Sequence, residues 1–518
     1  MKTAPLSWTT RRGWLAILLL SGAALAPAVT ITRGPYLQMA GPDRMTFRWR
    51  TDEPTESVVL HGPGVNNLHF ITGDLTETTE HEVTLLGLEP ETQYFYAVGE
   101  FFNRLAEGPE YQFITPPPLG RVRPTCVWAI GDCGTAIYGD GNQAAVRDAY
   151  YNFTGSRRTD VWLALGDNAY NYGSDEEYQI SFFDVYPALL RQSALWSTIG
   201  NHETYSVPPG ERIPYLDIFN FPTQGEAGGL ASGTEKYYSF THANIHFVCL
   251  DSELSDRTPS GPMLSWLQAD LAANTNDWLI AFWHSPPYTK GSHNSDNPLD
   301  GYGNLIEMRA HAAQMLEYYG ADLVLGGHSH NYERSFLING HYGYSTSLTP
   351  SMIKDAGSGR PEDTGAYFKP ETGPEANQGT VYIVAGSSGK ISGRYGHHPV
   401  MFFEESALGS LVLDIDGPRL DARFLRENGT VDDSFSIIKG AAPGPLRFCT
   451  FEIRNGQTIA RWKSAAGQTY QVEHTANLEA PQWLPISPGI TASGATTSWT
   501  NAVPVGPSRG FYRVVEME

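Results

Sequence analysis

Residues 161–170 read VWLALGDNAY, an apolar run that ends abruptly in a glycine, an aspartate and, three residues later, a tyrosine. Short apolar runs that stop at turn residues are typical of strands buried on both faces of a sheet. Similar runs at 127–130, 278–282 and 323–325 alternate with amphipathic stretches of helical spacing. This alternation predicts an α/β domain, with β-sheets flanked by helices, over residues 119–440.

Both flanks of this region have a strand-like pattern instead. Residues 29–118 contain alternating segments separated by turn residues, and residues 88–94 resemble the tyrosine corner of fibronectin-type sandwiches. After a Pro/Gly-rich linker at 441–447, residues 448–518 again read as strands. We therefore expect a multidomain chain: an N-terminal fibronectin-III-like β-sandwich, the α/β domain and a small C-terminal β-sandwich.

The first 28 residues have the pattern of an export signal. Arg11 and Arg12 precede an apolar stretch of about 13 residues, too short to span a bilayer, and Ala26-Pro27-Ala28 offers a small-residue cleavage site. The paired arginines resemble a twin-arginine signal. The alternative is an uncleaved lipid-inserted anchor. We expect a secreted or periplasmic protein whose mature chain has no transmembrane anchor.

The charge balance limits the partners. There are 35 Lys+Arg against 56 Asp+Glu, a formal net charge of -21, which disfavours binding to nucleic acid or to an anionic membrane face. An anionic substrate must then be attracted by something local, and metal ions are the obvious candidate. The 4 cysteines are too few for a disulfide framework.

Five short polar motifs occur in the α/β region, most of them directly after an apolar run. They are Gly131-Asp132-Cys133-Gly134, Gly166-Asp167-Asn168-Ala169-Tyr170, Gly200-Asn201-His202-Glu203, His284-Ser285-Pro286-Pro287 and Gly327-His328-Ser329-His330. Because ligands bind beyond the carboxyl ends of strands in an open α/β sheet, these motifs can converge there. Each motif alone is more often a turn or a loop. The ordered set of carboxylate, amide, phenol and imidazole donors predicts a shared site for iron, manganese or zinc.

In this order the five motifs resemble those of the metallophosphoesterases, and of the purple acid phosphatases in particular. The resemblance covers most of residues 30–440. Most metallophosphoesterases have a histidine two residues after the first aspartate; here Gly134 stands at that position, and Tyr170 supplies a ligand in the pattern of the purple enzymes. Because phenol has a reference pKa near 10, a phenolate bound at acidic pH requires a strongly Lewis-acidic ion, and Fe(III) fits. The segment Tyr332-Glu333-Arg334 agrees further.

The resemblance also implies a fold and a ligand set. It makes residues 119–440 a calcineurin-like metallophosphoesterase catalytic domain, and residues 29–118 the N-terminal domain of the purple acid phosphatases. The implied ligands of a first ion, Fe(III), are Asp132, Asp167, Tyr170 and His330. The implied ligands of a second, divalent ion (Zn, Mn or Fe) are Asp167, Asn201, His284 and His328.

Two further histidines are implied as catalytic residues that face the substrate, His202 and His293. Asn294 departs from the plant pattern, in which many sequences have a second histidine, and an exposed polar loop is the alternative for both His293 and Asn294. The implied chemistry is attack of a metal-activated hydroxide on a phosphate ester held by two ions, of which Asp167 would be the shared ligand.

The predicted function is that of a secreted binuclear acid phosphatase acting on small or polymeric phosphate monoesters. A phosphodiesterase or nucleotide pyrophosphatase that uses the same metal pair is one alternative. The other is a surface adhesion or scaffold protein whose phosphatase-like domain has lost its metals, and the presence of every expected ligand argues against it.

Overall fold

The computed structural model describes Met1, residues 28–370 and 372–440 and much of the C-terminal part. The described C-terminal segments are 448–454, 457–464, 467–478, 481–494, 496–501 and 510–517. Residues 2–27, with nearly all of the predicted export signal, and the predicted linker at 441–447 lie outside the described residues. Among the described helices, none combines the length and the apolar character needed to cross a lipid bilayer.

The N-terminal domain is an antiparallel β-structure organised around one long strand. Its strands are β1 (Ile31–Gly41), β2 (Arg44–Gly62), β3 (Phe70–Leu86), β4 (Gln93–Gly99), β5 (Arg104–Ala106) and β6 (Gln112–Ile114). β2 pairs with β1, β3 and β4, and β4 pairs with β5 and β6. The backbone N–H of Glu89 donates to the Tyr94 hydroxyl at 3.0 Å, which is the tyrosine-corner contact. The fibronectin-like prediction is confirmed.

The first of two large sheets in the α/β domain has seven strands. They are β7 (Thr125–Ile130), β8 (Val161–Ala164), β9 (Leu195–Ser197), β17 (Tyr367–Lys369), β20 (Gly409–Asp416), β21 (Arg419–Arg426) and β22 (Val431–Lys439). Their order is β17-β22-β21-β20-β7-β8-β9. Pairing is parallel from β7 to β9, so the carboxyl ends of these strands lie at one edge.

The second large sheet also has seven strands. They are β10 (Tyr238–His242), β11 (Ile245–Cys249), β12 (Trp278–Phe282), β13 (Leu323–Gly326), β14 (Tyr332–Ser335), β18 (Val381–Ala385) and β19 (Met401–Glu405). Their order is β10-β11-β12-β13-β18-β14-β19, and β11, β12, β13 and β18 are parallel. A short sheet pairs β15 (Leu337–Ile338) with β16 (Ile353–Asp355).

Helices cover the sheets. They are α1 (Asn142–Thr154), α2 (Asp175–Tyr178), α3 (Pro187–Leu190), α4 (Pro214–Ile218), α5 (Pro262–Ala273), α6 (Asn304–Glu307) and α7 (Gln314–Tyr318), with a π-helical segment Met308–Ala313 between the last two. Because side chains alternate along a strand, Ile280 and Leu325 lie in the core between the sheets, whereas Leu279 and Val324 pack beneath α5 and the π-helical segment. The predicted α/β sandwich is confirmed.

The N-terminal domain packs against the segments that follow β8 and β9. The Tyr36 hydroxyl donates to the carbonyl of Ile218 at 2.6 Å. Arg33 and Arg50 both bind the carboxylate of Asp175, the first residue of α2. The N-terminal domain thereby fixes the start of α2, which lies five residues after Tyr170 of the second motif.

The C-terminal module has two small sheets. Its strands are β23 (Phe448–Arg454), β24 (Gln457–Lys463), β25 (Thr469–Thr475), β26 (Leu484–Pro485), β27 (Ile490–Thr491), β28 (Thr496–Asn501) and β29 (Phe511–Met517). One sheet is β23-β24-β28, and in the other β25 pairs with β26, β27 and β29. Trp462, Tyr470 and Trp499 form a buried core with apolar neighbours from both sheets, as expected for a small β-sandwich.

Candidate metal centre

Three of the predicted ligands stand just beyond a strand, in a left-handed backbone conformation. Asp132 follows β7, Asp167 follows β8 and His328 follows β13, with φ values of 54°, 54° and 65°. Such φ values are uncommon for residues other than glycine, and they cluster at functional sites. The three side chains therefore start from sharp turns at the carboxyl ends of parallel strands.

The glycines before these ligands make room for neighbouring donors. A Cβ atom on Gly166 would lie 2.7 Å from Nδ1 of His284, and one on Gly327 would lie 2.6 Å from Oδ2 of Asp132. Both separations are shorter than a normal van der Waals contact. The Gly-Asp and Gly-His order in the motifs therefore has a steric cause.

The donor atoms converge in two adjacent clusters. In the first cluster (Asp132, Asp167, Tyr170, His330), the Tyr170 hydroxyl oxygen lies 3.1 Å from Oδ1 of Asp132, 3.0 Å from Oδ2 of Asp167 and 3.3 Å from Nε2 of His330. Two ligand atoms about 2.0–2.2 Å from one ion are themselves about 3–3.5 Å apart. The spacing in the first cluster therefore fits one ion.

The second cluster (Asp167, Asn201, His284, His328) has the same spacing. Oδ1 of Asn201 lies 3.0 Å from Nε2 of His284 and 3.0 Å from Nδ1 of His328. Oδ1 of Asp167 lies 3.5 Å from the same His284 nitrogen. Asp167 thus faces the first cluster with one oxygen and the second with the other. All seven predicted ligands are brought together, and their coordination of metal is proposed below.

The imidazole orientations suit ligation. His284 donates from Nδ1 to the carbonyl of Leu165 at 2.9 Å, which leaves a lone pair on Nε2. In His330, Nδ1 lies 2.8 Å from the Ser392 hydroxyl and Nε2 faces the first cluster. Partners of this kind fix the tautomer and ring orientation of metal-binding histidines.

The electrostatics of the site are set by two buried carboxylates, those of Asp132 and Asp167. Burial raises the pKa of Asp132 well above its usual value, and the Asp167 carboxylate adds to this. Burial lowers the pKa of His284, but Asp167 and Asp132 outweigh it and raise that pKa to about 9. Among the described residues, no lysine or arginine pairs with either carboxylate. Buried carboxylates without a lysine or arginine partner fit a site that binds metal cations.

The two predicted catalytic histidines lie beside the clusters. His202 donates its backbone N–H to Oδ1 of Asp167 at 3.0 Å and its Nδ1–H to the carbonyl of Asn171 at 2.7 Å. Its Nε2 forms no hydrogen bond with any residue that the structure describes. Nδ1 of His293 lies 2.7 Å from Oδ1 of Asp300, and its ring stacks on His328 with 3.8 Å between centroids.

The loop that carries His293 and Asn294 is ordered around Asp300. The backbone N–H of Asn294 donates to Oδ2 of Asp300 at 2.7 Å, so this carboxylate holds both residues. A cavity of about 410 Å³ opens beside the site. Its lining residues are Ser292, His293, His330, Ser392, Gly393, Arg394 and Tyr395.

Two residues near the site were given no role from the sequence. Glu203 is fully buried and accepts hydrogen bonds from the backbone N–H groups of Asp167, Asn168 and Gly200 at 3.0, 2.7 and 2.8 Å. In the sequence, the position of Glu203 at the end of the third motif is the feature that could have indicated a role at the site. Lys390 is exposed, with Nζ 5.9 Å from the ring centroid of Tyr170, and within the described part of the chain it forms no ion pair.

Comparisons with known proteins agree with this geometry. Residues 127–332 match the calcineurin-like phosphoesterases, and residues 32–115 match the purple acid phosphatase N-terminal domain. The chain therefore has the two domains that match these families, in the order of a purple acid phosphatase N-terminal domain followed by a calcineurin-like phosphoesterase domain. The predicted resemblance and the prediction of a phosphatase are thereby confirmed. The family implies a binuclear metal centre, which the two clusters fit.

Individual relatives show the extent of the similarity. Purple acid phosphatase 18 of Arabidopsis thaliana is 28% identical over 353 residues, which cover 64% of this chain and 72% of the relative. Purple acid phosphatase 22 of the same plant is 30% identical over 319 residues, or 58% of this chain and 66% of the relative. The purple acid phosphatase PPD1 from yellow lupin (Lupinus luteus) seeds has a TM-score of 0.61 at 17% identity, over 79% of this chain and 75% of that chain, which shows a shared fold.

Proposed function

We propose that this protein is a secreted or periplasmic acid phosphatase that hydrolyses phosphate monoesters at a binuclear metal centre. The observation that carries the proposal is the pair of donor clusters that share Asp167, buried and without a lysine or arginine partner among the described residues. The export pattern of residues 1–28 supports the location outside the cytoplasm.

The first cluster would hold Fe(III), and the second a divalent ion, Zn, Mn or Fe. Tyr170 supports this order, because burial, Asp132 and Asp167 raise its pKa well above the usual value, so only a strongly Lewis-acidic ion would keep it as a phenolate. Bound there, the two ions would supply Lewis acidity towards the phosphoryl group and the attacking water.

His202 would hold the proton that the reaction needs. Its Nδ1–H is committed to the carbonyl of Asn171, so Nε2 is the atom that can meet a phosphoryl or leaving-group oxygen. That nitrogen lies 3.9 Å from Oδ2 of Asp167, beside the first cluster. His202 would therefore donate from Nε2 to the leaving oxygen.

His293 and Glu203 would have different tasks. Asp300 orients His293 through Nδ1, which leaves Nε2 for substrate. Glu203 would position the site without touching substrate, because its carboxylate ties the loop of Asp167 to the loop of Gly200 and Asn201.

Chelation tests the proposal directly. Removal of metal should abolish hydrolysis of p-nitrophenyl phosphate at acidic pH, and iron with a divalent ion should restore it. A metal-free protein that keeps its rate would refute the proposal. The ratio of this rate to that on bis(p-nitrophenyl) phosphate separates a monoesterase from a diesterase, because a diesterase would cleave the second compound faster.

A further inference from the structure

Exposed tyrosines stand at the mouth of the metal centre. The ring of Tyr205 lies 5.1 Å from that of His202, and its hydroxyl accepts a hydrogen bond from Nδ2 of Asn201 at 2.9 Å. Tyr395 lines the cavity beside the site. The exposed fractions of Tyr205 and Tyr395 are 48% and 70%. Aromatic surface is therefore available next to the place where a phosphate ester would react.

A third tyrosine, Tyr302, is more exposed than Tyr205 and Tyr395, with an exposed fraction of 92%. It has a φ of 53° and lies between Gly301 and Gly303, with φ values of 54° and 90°. A left-handed conformation of a non-glycine residue costs free energy, and such residues are found at active sites and ligand clamps. The Tyr302 ring is not buried in the free protein, so burial of its apolar surface does not offset the free-energy cost of this backbone conformation.

The loop of Tyr302 is fixed to the site at its base. The carboxylate of Asp300 contacts Nδ1 of His293 at 2.7 Å. A Cβ atom on Gly301 would lie 3.8 Å from Nε2 of His328. That nitrogen is buried and has no protein partner among the described residues. The two residues before Tyr302 therefore lie beside a proposed ligand, His328, and a proposed catalytic residue, His293.

We propose that Tyr302 selects phosphate monoesters whose leaving group carries a planar aromatic ring. This inference rests on the proposed function. The ring would stack on Tyr302 while the phosphoryl group lies at the two clusters. The reaction itself is unchanged: water adds to phosphorus, the bond between phosphorus and the ester oxygen breaks, and that oxygen takes up a proton. Aromatic stacking adds to the burial of apolar surface and discriminates against leaving groups of similar size without a ring.

The test compares three esters in variants of the full chain. Phenyl phosphate has its ring on the ester oxygen, adenosine 5′-monophosphate has a base one ribose away, and glycerol 2-phosphate has no ring. Tyr302→Ala should lower the ratio of kcat/KM for the aromatic esters to that for glycerol 2-phosphate by about 3- to 10-fold. Tyr302→Phe should keep the ratio, because the ring remains.

A matched control separates stacking from a general loss of surface. Tyr318 in α7 is 61% exposed and contacts Tyr319, so Tyr318→Ala should keep the ratio. A fall for phenyl phosphate alone assigns aryl esters as the substrate class, and a fall for the nucleotide alone assigns nucleotides. An unchanged ratio in Tyr302→Ala, or an equal fall for all three esters, overturns the inference.

Direct binding distinguishes a failure of this inference from a failure of the proposed function. Titration calorimetry with phenylphosphonate and methylphosphonate requires no turnover. Tyr302→Ala should weaken the binding of phenylphosphonate relative to that of methylphosphonate by about 3- to 10-fold. A wild type that hydrolyses none of the three esters refutes the proposed function. Hydrolysis together with equal loss of both phosphonates refutes only the role of Tyr302.

Discussion

Replacement of Glu203 by glutamine tests whether this carboxylate positions the metal site. All its partners donate: Oε1 accepts from Asn168 and from the Tyr178 hydroxyl, and Oε2 accepts from the backbone N–H groups of Asp167 and Gly200 at 3.0 and 2.8 Å. Glutamine has one oxygen, so its amide nitrogen must face at least two donors. A hydrogen bond to a charged group contributes about 1.5–3 kcal/mol.

Burial raises the pKa of Glu203 to about 7, so its carboxylate is ionised at pH 8. At that pH Glu203→Gln should lower the free energy of unfolding by about 3–6 kcal/mol, twice the value of one such bond. Because both lost bonds hold loops that carry proposed ligands, metal affinity should fall by about 10- to 100-fold. Urea titration measures the first quantity. Competition with a chelator, at a temperature where the variant is folded, measures the second.

Glu317 provides a matched control. It is also buried and accepts from several donors, including the Tyr342 and Tyr382 hydroxyls at 2.6 and 2.8 Å, but its donors lie outside both clusters. Glu317→Gln should lower stability and leave metal affinity unchanged. If the two variants are equally destabilised and keep metal equally well, Glu203 has no positioning role.

Three further predictions follow from single side chains. His202→Ala should keep both ions while kcat falls by roughly 10²–10⁴-fold; a loss of metal would contradict its role as a proton donor. Tyr170→Phe should remove the visible absorption of the iron-loaded protein and weaken its retention of Fe(III), and a variant that keeps the colour would exclude Tyr170 as a ligand. Burial lowers the pKa of His398 to about 3, so the unfolded chain binds a proton below about pH 6.5 that the folded chain does not. The free energy of unfolding should therefore fall as the pH falls below 6.5, and His398 should contribute about 2 kcal/mol to this fall at pH 5. Urea titrations should show a smaller pH dependence of stability in His398→Phe than in the wild type. The same pH dependence in both proteins would contradict this prediction.

The sequence predicted those parts of the site that follow from strand periodicity. Asp132, Asp167 and His328 follow apolar runs, and parallel strands bring the ends of such runs to one edge of a sheet. The order of the five motifs then indicated which donors meet. Their left-handed φ values were not predictable, because no residue type at these positions requires them.

The parts that were missed depend on contacts between distant loops. Glu203 accepts hydrogen bonds from backbone N–H groups of the Asp167 loop. Backbone donors cannot be recognised from the type of residue in the sequence. Tyr302 stands in a polar loop without periodicity, where exposure is the expected state of any side chain. The domain boundaries and the export signal remain predictions from sequence.

The central claim is that two ions share Asp167, and the metal content of one pair of proteins tests it most directly. Elemental analysis of the purified wild type should give two ions per chain. Asp167→Ala should lose both ions together with turnover. Without the carboxylate that both clusters share, the remaining donors should be too weak to bind two adjacent cations. A variant that keeps two ions and a near-normal rate, or an active wild type without bound metal, would contradict the account.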